Sequence, residues 1–317
     1  MGRKILVLFL LAGLFSCQPK KQTRQVIIFH AGSLSYPLKI AIQAFNKEFP
    51  EITIITEAAG SVASARKITE LNRKADIMAS ADYQIIDQLL IPNYSSFNIH
   101  FVTNSIGLAY TRKSHLADSI QSNNWIEILR KETVKIGASD PDADPCGYRT
   151  RMIWQLTELL YNDSSLKNDL LSANKYYQRP KETDLIALLE TNSLDYIFIY
   201  KSVAIQHHLD FIELGDSLNL ANPDLNNWYS NVSENIRGTE PGTFSTIQAE
   251  AITYGITMLN DSPNQKDATL FLNWLLNEEN GLKVLAENGL IPLKPSRIRF
   301  VKSYPENLKI NNPILLN

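Results

Sequence analysis

Three strand–turn–helix units follow one another near the start of the chain, and this alternation limits the possible folds more than any other feature. Short apolar, β-branched runs at Val26–Phe29, Ile52–Thr56 and Asp76–Ala79 predict strands, and each is followed by a helical pattern. Strands that alternate with helices indicate a mainly parallel sheet, in which ligands bind beyond the carboxyl ends of the strands. The sequence therefore predicts an α/β fold with a site at those ends.

A second set of α/β units begins at Val134–Ala138, and the chain is longer than one compact core usually serves. Two lobes are therefore expected. The apolar strands Ser105–Tyr110 and Ile252–Leu259 are interpreted as the two crossings between them. This interpretation assigns residues 25–108 and 252–317 to lobe 1 and residues 109–251 to lobe 2.

The N-terminus predicts export. Arg3 and Lys4 precede an apolar run, Ile5–Phe15, that is too short to anchor the chain across a bilayer. The segment Leu14–Cys17 resembles a bacterial lipobox, which implies cleavage before Cys17 and lipidation of this cysteine. We therefore predict a signal peptide at residues 1–16 and a lipid-anchored tether at residues 17–24. The alternative is an ordinary secretory signal with an incidental cysteine.

Charge and cysteine content exclude several classes of function. The formal net charge is −2 with acidic and basic residues interspersed, so the chain has no basic stripe that would neutralise nucleic-acid phosphates. Nucleic acid is therefore not an expected partner. Once Cys17 is lipidated only Cys146 remains, which excludes an intramolecular disulfide and a cysteine-based metal site. We expect a monomer.

Small-residue turns lie where predicted strands pass into helices. They are Ala31–Ser33 and Ala59–Ser61, and Ser80 lies at the end of a third strand. Unpaired backbone N–H groups and the positive end of a helix favour an anion at such turns, and a serine adds a hydroxyl donor. Each turn alone is better explained as an ordinary turn or helix cap. Two matching turns in consecutive units, with Ser80 at a third strand end, make an anion site as well supported as that explanation.

Several sequence blocks, in the same order, resemble the signature of the tungstate/molybdate-binding protein family of ABC importers. They extend from Val26 to about Pro295 and are His30–Ser35, Glu57–Ala63, Ala75–Tyr83, Asp144–Arg149, Leu194–Ala204 and Tyr254–Thr257. The resemblance implies a two-lobed periplasmic-binding-protein fold of type II. In this fold each lobe is a mainly parallel sheet flanked by helices, and two crossover strands form the hinge.

The same resemblance implies a function without catalysis. The protein would capture tungstate or molybdate, need no cofactor, and deliver its ligand to an ABC permease in the cytoplasmic membrane. A lipid anchor would hold it on the outer face of that membrane. Carried over residue by residue, the resemblance implies that the oxyanion accepts hydrogen bonds from Ser33, Ser61, the backbone of Cys146 and the Tyr200 hydroxyl.

The resemblance also implies two carboxylates, Asp144 and Glu182, bonded directly to the metal. Carboxylates repel a dianion at short range. Hexavalent tungsten or molybdenum is nevertheless a Lewis acid that can expand from four to six oxygen ligands, which sulfur and phosphorus do not do. The pair would thus disfavour sulfate and phosphate. The alternative is structural, with Asp144 capping a helix that begins near Gly147 and Glu182 in a first helical turn.

Two other functions stay open at this stage. The first is a binding protein for another anion, such as sulfate, phosphate or an iron-loaded anion. The second is a lipid-anchored α/β hydrolase or transferase with Ser33 or Cys146 as its nucleophile. The sequence has no Gly-x-Ser-x-Gly elbow, His-Glu-x-x-His helix or phosphate-binding loop to support the second function.

Overall fold

The computed structural model describes residues 24–172, 175–238, 242–301 and 305–316. The predicted signal peptide, Cys17 and residues 17–23 of the predicted tether lie outside these ranges. Arg24, the last residue of the predicted tether, is the first residue of a strand. No helix in the described part of the chain combines the length and the apolar character that a membrane crossing requires.

The strands, in chain order, are β1 (Arg24–Ala31), β2 (Ile52–Ala59), β3 (Ile77–Ser80), β4 (Phe97–Thr103), β5 (Ile106–Tyr110), β6 (Ile136–Ser139), β7 (Tyr176–Arg179), β8 (Tyr196–Tyr200), β9 (Asp210–Glu213), β10 (Ser233–Arg237), β11 (Phe244–Gln248), β12 (Thr253–Met258), β13 (Ile291–Phe300) and β14 (Ile314–Leu316). The helices are α1 (Ser35–Glu48), α2 (Ser61–Thr69), α3 (Tyr83–Ile85), α4 (Trp125–Arg130), α5 (Pro145–Tyr161), α6 (Leu166–Ser172), α7 (Ile186–Glu190), α8 (Lys201–Gln206), α9 (Asp216–Asn219), α10 (Asn226–Tyr229), α11 (Gln265–Leu275) and α12 (Gly281–Glu287). A π-helical turn, Ile86–Leu90, continues α3.

Two sheets flanked by helices confirm the predicted α/β class with two lobes. The first sheet has the strand order β14-β13-β4-β12-β3-β1-β2, and the second has the order β7-β6-β8-β5-β9. Strands β10 and β11 form a separate antiparallel hairpin. The core of the first lobe lies between its sheet and the helices α1 and α11, where Phe45 meets Phe271 edge to face at 5.2 Å between ring centroids.

Both sheets are mixed, whereas mainly parallel sheets were predicted. In the first sheet β1 runs parallel to β2 and β3, but β12 is antiparallel to both β3 and β4. In the second sheet β6 is parallel to β7 and β8, and β5 is antiparallel to β8 and β9. Two of the antiparallel strands, β5 and β12, are those on which the chain enters each sheet from the other lobe, whereas β13, which is antiparallel to β4, is not. A strand entered from the other lobe needs no crossover helix, so nothing constrains it to run parallel.

The two predicted crossing strands form as β5 and β12. Each pairs within one sheet only, β5 in the second and β12 in the first. The passages between lobes are therefore the short segments that precede them, Asn104–Ser105 and Ala249–Ile252. Residue 108, the predicted end of the first segment of lobe 1, lies inside β5. Because β5 pairs in the second sheet and β4 in the first, the boundary between the lobes falls after β4. The sequence marks a strand by its apolar run but does not show with which sheet the strand pairs.

Two buried histidines in the first sheet predict that acid destabilises the fold. Burial, as the largest cause, lowers the pKa of His30 and of His100 from 6.5 to about 4. Between these values these histidines bind protons in the unfolded chain but not in the folded chain, so the stability that they contribute is complete above pH 6.5 and is lost as the pH drops towards 4. The loss should reach about 3 kcal/mol for each histidine, at 1.36 kcal/mol per pKa unit.

Urea unfolding at about pH 7 and at about pH 4.5 measures this loss. The variant His100→Gln removes one of the two groups, so its stability should fall by less than that of the wild type over this interval. An equal loss in both proteins would show that His100 is not the group that titrates.

Candidate functional site

The two predicted serines lie at the carboxyl ends of β1 and β2, where each strand passes into a helical turn. Ser33 is in the short 3₁₀ turn Gly32–Leu34, and Ser61 is the first residue of α2. The Tyr254 hydroxyl donates to Ser33 Oγ at 2.9 Å, and the Ala81 N–H donates to Ser61 Oγ at 2.9 Å. Because both oxygens already accept a hydrogen bond, each serine has its own proton to donate to a ligand.

Asp144 occupies the N-cap of α5, as its structural alternative predicted, and the helix begins at Pro145. Its Oδ1 accepts a hydrogen bond from the Cys146 N–H at 3.3 Å, and its Oδ2 accepts one from the Glu182 N–H at 2.9 Å. The second bond reaches a segment 38 residues away and is not part of a cap. A carboxylate oxygen has further lone pairs, so capping leaves Asp144 able to bind a metal.

Glu182 is 1% exposed and begins a 3₁₀ turn, Glu182–Leu185. Neither of its carboxylate oxygens has a hydrogen-bond partner among the described residues. Burial first, and the charge of Asp144 second, raise the pKa of Glu182 well above its usual value. Both oxygens would lie 3.3 Å from a Cβ on Gly32, so the carboxylate faces the turn that holds Ser33.

A buried carboxylate without a donor costs several kcal/mol unless something compensates for its charge. Within residues 24–172, 175–238, 242–301 and 305–316, no three histidine, cysteine, aspartate or glutamate side chains cluster as a metal-ion site. Asp144 and Glu182 are thus only two protein ligands. A bare metal cation would need more protein ligands than these two. A pair does suit a Lewis-acidic metal that brings its own oxide ligands.

Tyr200 ends β8, is fully buried, and accepts a hydrogen bond from Arg149 Nη1 at 2.9 Å. Its ring lies 5.9 Å from that of Tyr254, the partner of Ser33. The Cys146 thiol points elsewhere, towards the Phe198 carbonyl oxygen at 3.6 Å. Burial raises the pKa of this thiol well above its usual value, so Cys146 is not an activated nucleophile.

The two lobes touch at this point. The Ala63 N–H of α2 donates to the carbonyl oxygen of Ala143, immediately before α5, at 3.0 Å. A Cβ on Gly60 would lie 2.2 Å from the same oxygen. The structure therefore brings the predicted residues together at a closed junction between lobes, and none is more than 1% exposed; they are Ser33, Ser61, Asp144, Cys146, Glu182 and Tyr200.

Sequence reasoning missed three residues of this junction. Tyr254 bonds Ser33, and Arg149 forms an ion pair with Asp82 of the other lobe at 2.9 Å, with both side chains almost fully buried. All three lie in the blocks Ala75–Tyr83, Asp144–Arg149 and Tyr254–Thr257 on which the resemblance rests. Their place in these blocks indicated that the three residues matter. Nothing in the sequence, however, indicates which residues of different blocks contact each other in the fold.

Comparison with known proteins agrees with this geometry. The profile of the family described as bacterial extracellular solute-binding protein matches residues 26–291. The molybdate/tungstate-binding protein WtpA of Pyrococcus abyssi is 41% identical over 295 residues, covering 84% of each chain. Over most of its length, the chain is thus similar to a protein of the family that its sequence blocks resemble.

Solved structures with the same two-lobed fold are more distant in sequence. The periplasmic molybdate-binding protein of Azotobacter vinelandii has a TM-score of 0.60 at 13% identity, covering 84% of this chain and 98% of its own. The sulfate-binding protein SubI of Mycobacterium tuberculosis has a TM-score of 0.61 at 12% identity, covering 86% and 88%. At such identities the likeness confirms the fold alone. By the profile match and the identity to relatives, the chain belongs to the bacterial extracellular solute-binding protein family.

Proposed function

We propose that this solute-binding protein captures tungstate or molybdate between its lobes and presents it to an ABC permease. The observation that carries the proposal is the buried Glu182 carboxylate, which lies against Asp144 and has no donor among the described residues. A site for sulfate or phosphate would place donors there, because a second negative charge repels a dianion. The name of the Pyrococcus relative supports the same ligands.

In the proposed binding mode, hydrogen-bond donors contact the oxygens of the oxyanion, and carboxylates bond its metal. Ser33 and Ser61 from lobe 1, with Tyr200 from lobe 2, donate hydrogen bonds to the oxyanion oxygens. The Cys146 N–H donates its one proton to Asp144 over 3.3 Å, so at the positive end of α5 it would be a donor shared between Asp144 and the oxyanion. Asp144 and Glu182 bond the metal itself and raise its coordination from four to six oxygens. No resident cofactor and no catalytic step are needed.

An anchor at Cys17 completes the proposal. A lipid on Cys17 would hold the protein, as a monomer, on the outer face of the cytoplasmic membrane, next to the permease. The variant Cys17→Ser should therefore accumulate as uncleaved precursor or be released from membranes, which detergent-phase partitioning measures. Equal partitioning of variant and wild type would contradict the anchor.

Thermal unfolding with a panel of oxyanions tests the ligand. A ligand at a hundredfold excess over its Kd stabilises the folded state by about 2.7 kcal/mol, so tungstate or molybdate should raise Tm by several degrees. Sulfate and phosphate at the same concentration should raise it by less. A larger shift with sulfate or phosphate would instead identify a binding protein for that anion.

A further inference from the structure

A buried arginine joins the two lobes directly behind the site. Arg149, on α5 of lobe 2, is 3% exposed and forms an ion pair with Asp82 of lobe 1 at 2.9 Å. Asp82 is itself held in place, because its Oδ1 accepts the Gln84 N–H at 2.9 Å and its Oδ2 accepts the Tyr148 hydroxyl at 2.6 Å. The acidic partner of this buried cation therefore comes from the opposite lobe.

The same guanidinium bonds a backbone group that supports Ser61. Arg149 Nη1 donates to the Ala81 carbonyl oxygen at 2.7 Å, and the Ala81 N–H donates to Ser61 Oγ at 2.9 Å. The Ala81 peptide groups thus accept a hydrogen bond from Arg149 and donate one to Ser61, whose hydroxyl is proposed to bind the ligand. Arg149 therefore reaches the lobe 1 half of the site through the backbone of Ala81.

Arg149 Nη1 also donates to the Tyr200 hydroxyl at 2.9 Å, in the lobe 2 half of the site. A guanidinium has donors only, so the Tyr200 oxygen can act only as the acceptor in this bond. The proton of Tyr200 must then point away from Arg149. Among the described residues no hydrogen bond is donated by Tyr200, so its proton is available to an oxyanion oxygen.

We propose that Arg149 is a positioning residue that couples lobe closure to ligand binding. Through its contacts with Asp82 and Ala81, which exist only when the lobes meet, it orients the Tyr200 hydroxyl as a donor to the oxyanion. The inference rests on the proposed function, in which Tyr200 binds the ligand. A lysine could not replace Arg149, because a single ammonium lacks the planar fork that reaches three acceptors at once.

A double-mutant cycle between Asp82 and Tyr200 tests the coupling, because both residues contact Arg149 and no hydrogen bond joins them to each other. Tungstate affinity is measured by calorimetry for the wild type, Asp82→Asn, Tyr200→Phe and the double variant. Asparagine keeps the size and the capping oxygen of Asp82. Tyr200→Phe should weaken tungstate binding about tenfold in the wild type but threefold or less when Asp82 is already replaced.

Tyr148→Phe is the matched control. Tyr148 lies on α5, as Arg149 does, and its hydroxyl donates to the same Asp82 oxygen that pairs with Arg149. The variant removes this hydrogen bond but leaves the contacts of Arg149 unchanged. In that background Tyr200→Phe should still cost about tenfold. If Asp82→Asn does not yield folded protein, Arg149→Lys takes its place and should likewise reduce the cost of Tyr200→Phe to threefold or less.

Equal costs of Tyr200→Phe in the wild type and in the Asp82→Asn background would overturn the inference, because a merely structural ion pair gives additive effects. Failure of the proposed function looks different. If the wild type binds sulfate or phosphate rather than tungstate, the cycle is measured with that anion, since Tyr200 would donate to its oxygens equally. A wild type that binds no oxyanion would overturn both proposals.

Discussion

Replacing both carboxylates, as Asp144→Asn with Glu182→Gln, should weaken tungstate binding at least about tenfold, or roughly 1.4 kcal/mol. The reason is that the carboxamides keep the shape of the pocket but cannot act as anionic ligands to the metal. Sulfate binding should stay the same or improve, since the charges that repelled it are gone. The ratio of the two affinities, measured by calorimetry, should therefore collapse.

Ser33→Ala is the control for this prediction. A lost hydroxyl donor should weaken tungstate and sulfate alike, by about 1 to 3 kcal/mol, without changing their order. If the double carboxamide variant bound tungstate as tightly as the wild type, Asp144 would be only the cap of α5, and Glu182 would have no part in binding.

Gly60→Ala should reduce ligand affinity at least about a hundredfold by preventing closure. The added Cβ would lie 2.2 Å from the Ala143 carbonyl oxygen and 2.9 Å from Asp144 Cβ, both on the other lobe. At φ −58° the Gly60 backbone is one that alanine adopts freely, so each lobe should fold normally. Small-angle scattering should show compaction on adding tungstate to the wild type but not to the variant.

Gly215→Ala provides a matched control for this substitution. Gly215 is also the N-cap of a helix, also at φ −58°, but a Cβ there would meet nothing within 4 Å. This variant should bind and compact as the wild type does. Normal tungstate affinity in Gly60→Ala would contradict a binding site that requires the contact between α2 and Ala143.

The sequence predicted those parts of the fold and site that depend on local patterns. The strands β1 and β2 were recognisable from their apolar runs, and the serines at their ends from the small-residue turns that follow. Ser33 and Ser61 therefore lie at the carboxyl ends of strands, as expected. The resemblance to the tungstate/molybdate-binding family added Asp144, Glu182 and Tyr200, which residue patterns alone did not single out.

Features that depend on distant pairing could not be predicted in this way. β12 pairs with β3 and β4, from which it is separated by the whole of lobe 2, and its direction made a predicted parallel sheet mixed. Asp82 and Arg149 are 67 residues apart, and no local pattern indicates that two charges in separate blocks form one buried pair. The pairing of β12 forms within one sheet, and the ion pair between Asp82 and Arg149 forms only when the lobes meet.

The oxygen coordination of bound tungsten tests the central claim most directly. X-ray absorption at the tungsten edge counts the oxygen neighbours of the metal in the wild-type complex and in the Asp144→Asn, Glu182→Gln variant. Direct bonds from the Asp144 and Glu182 carboxylates predict six oxygen neighbours in the wild type and four in the variant. Four neighbours in the wild-type complex would contradict the account, because tungstate would then be held by hydrogen bonds alone.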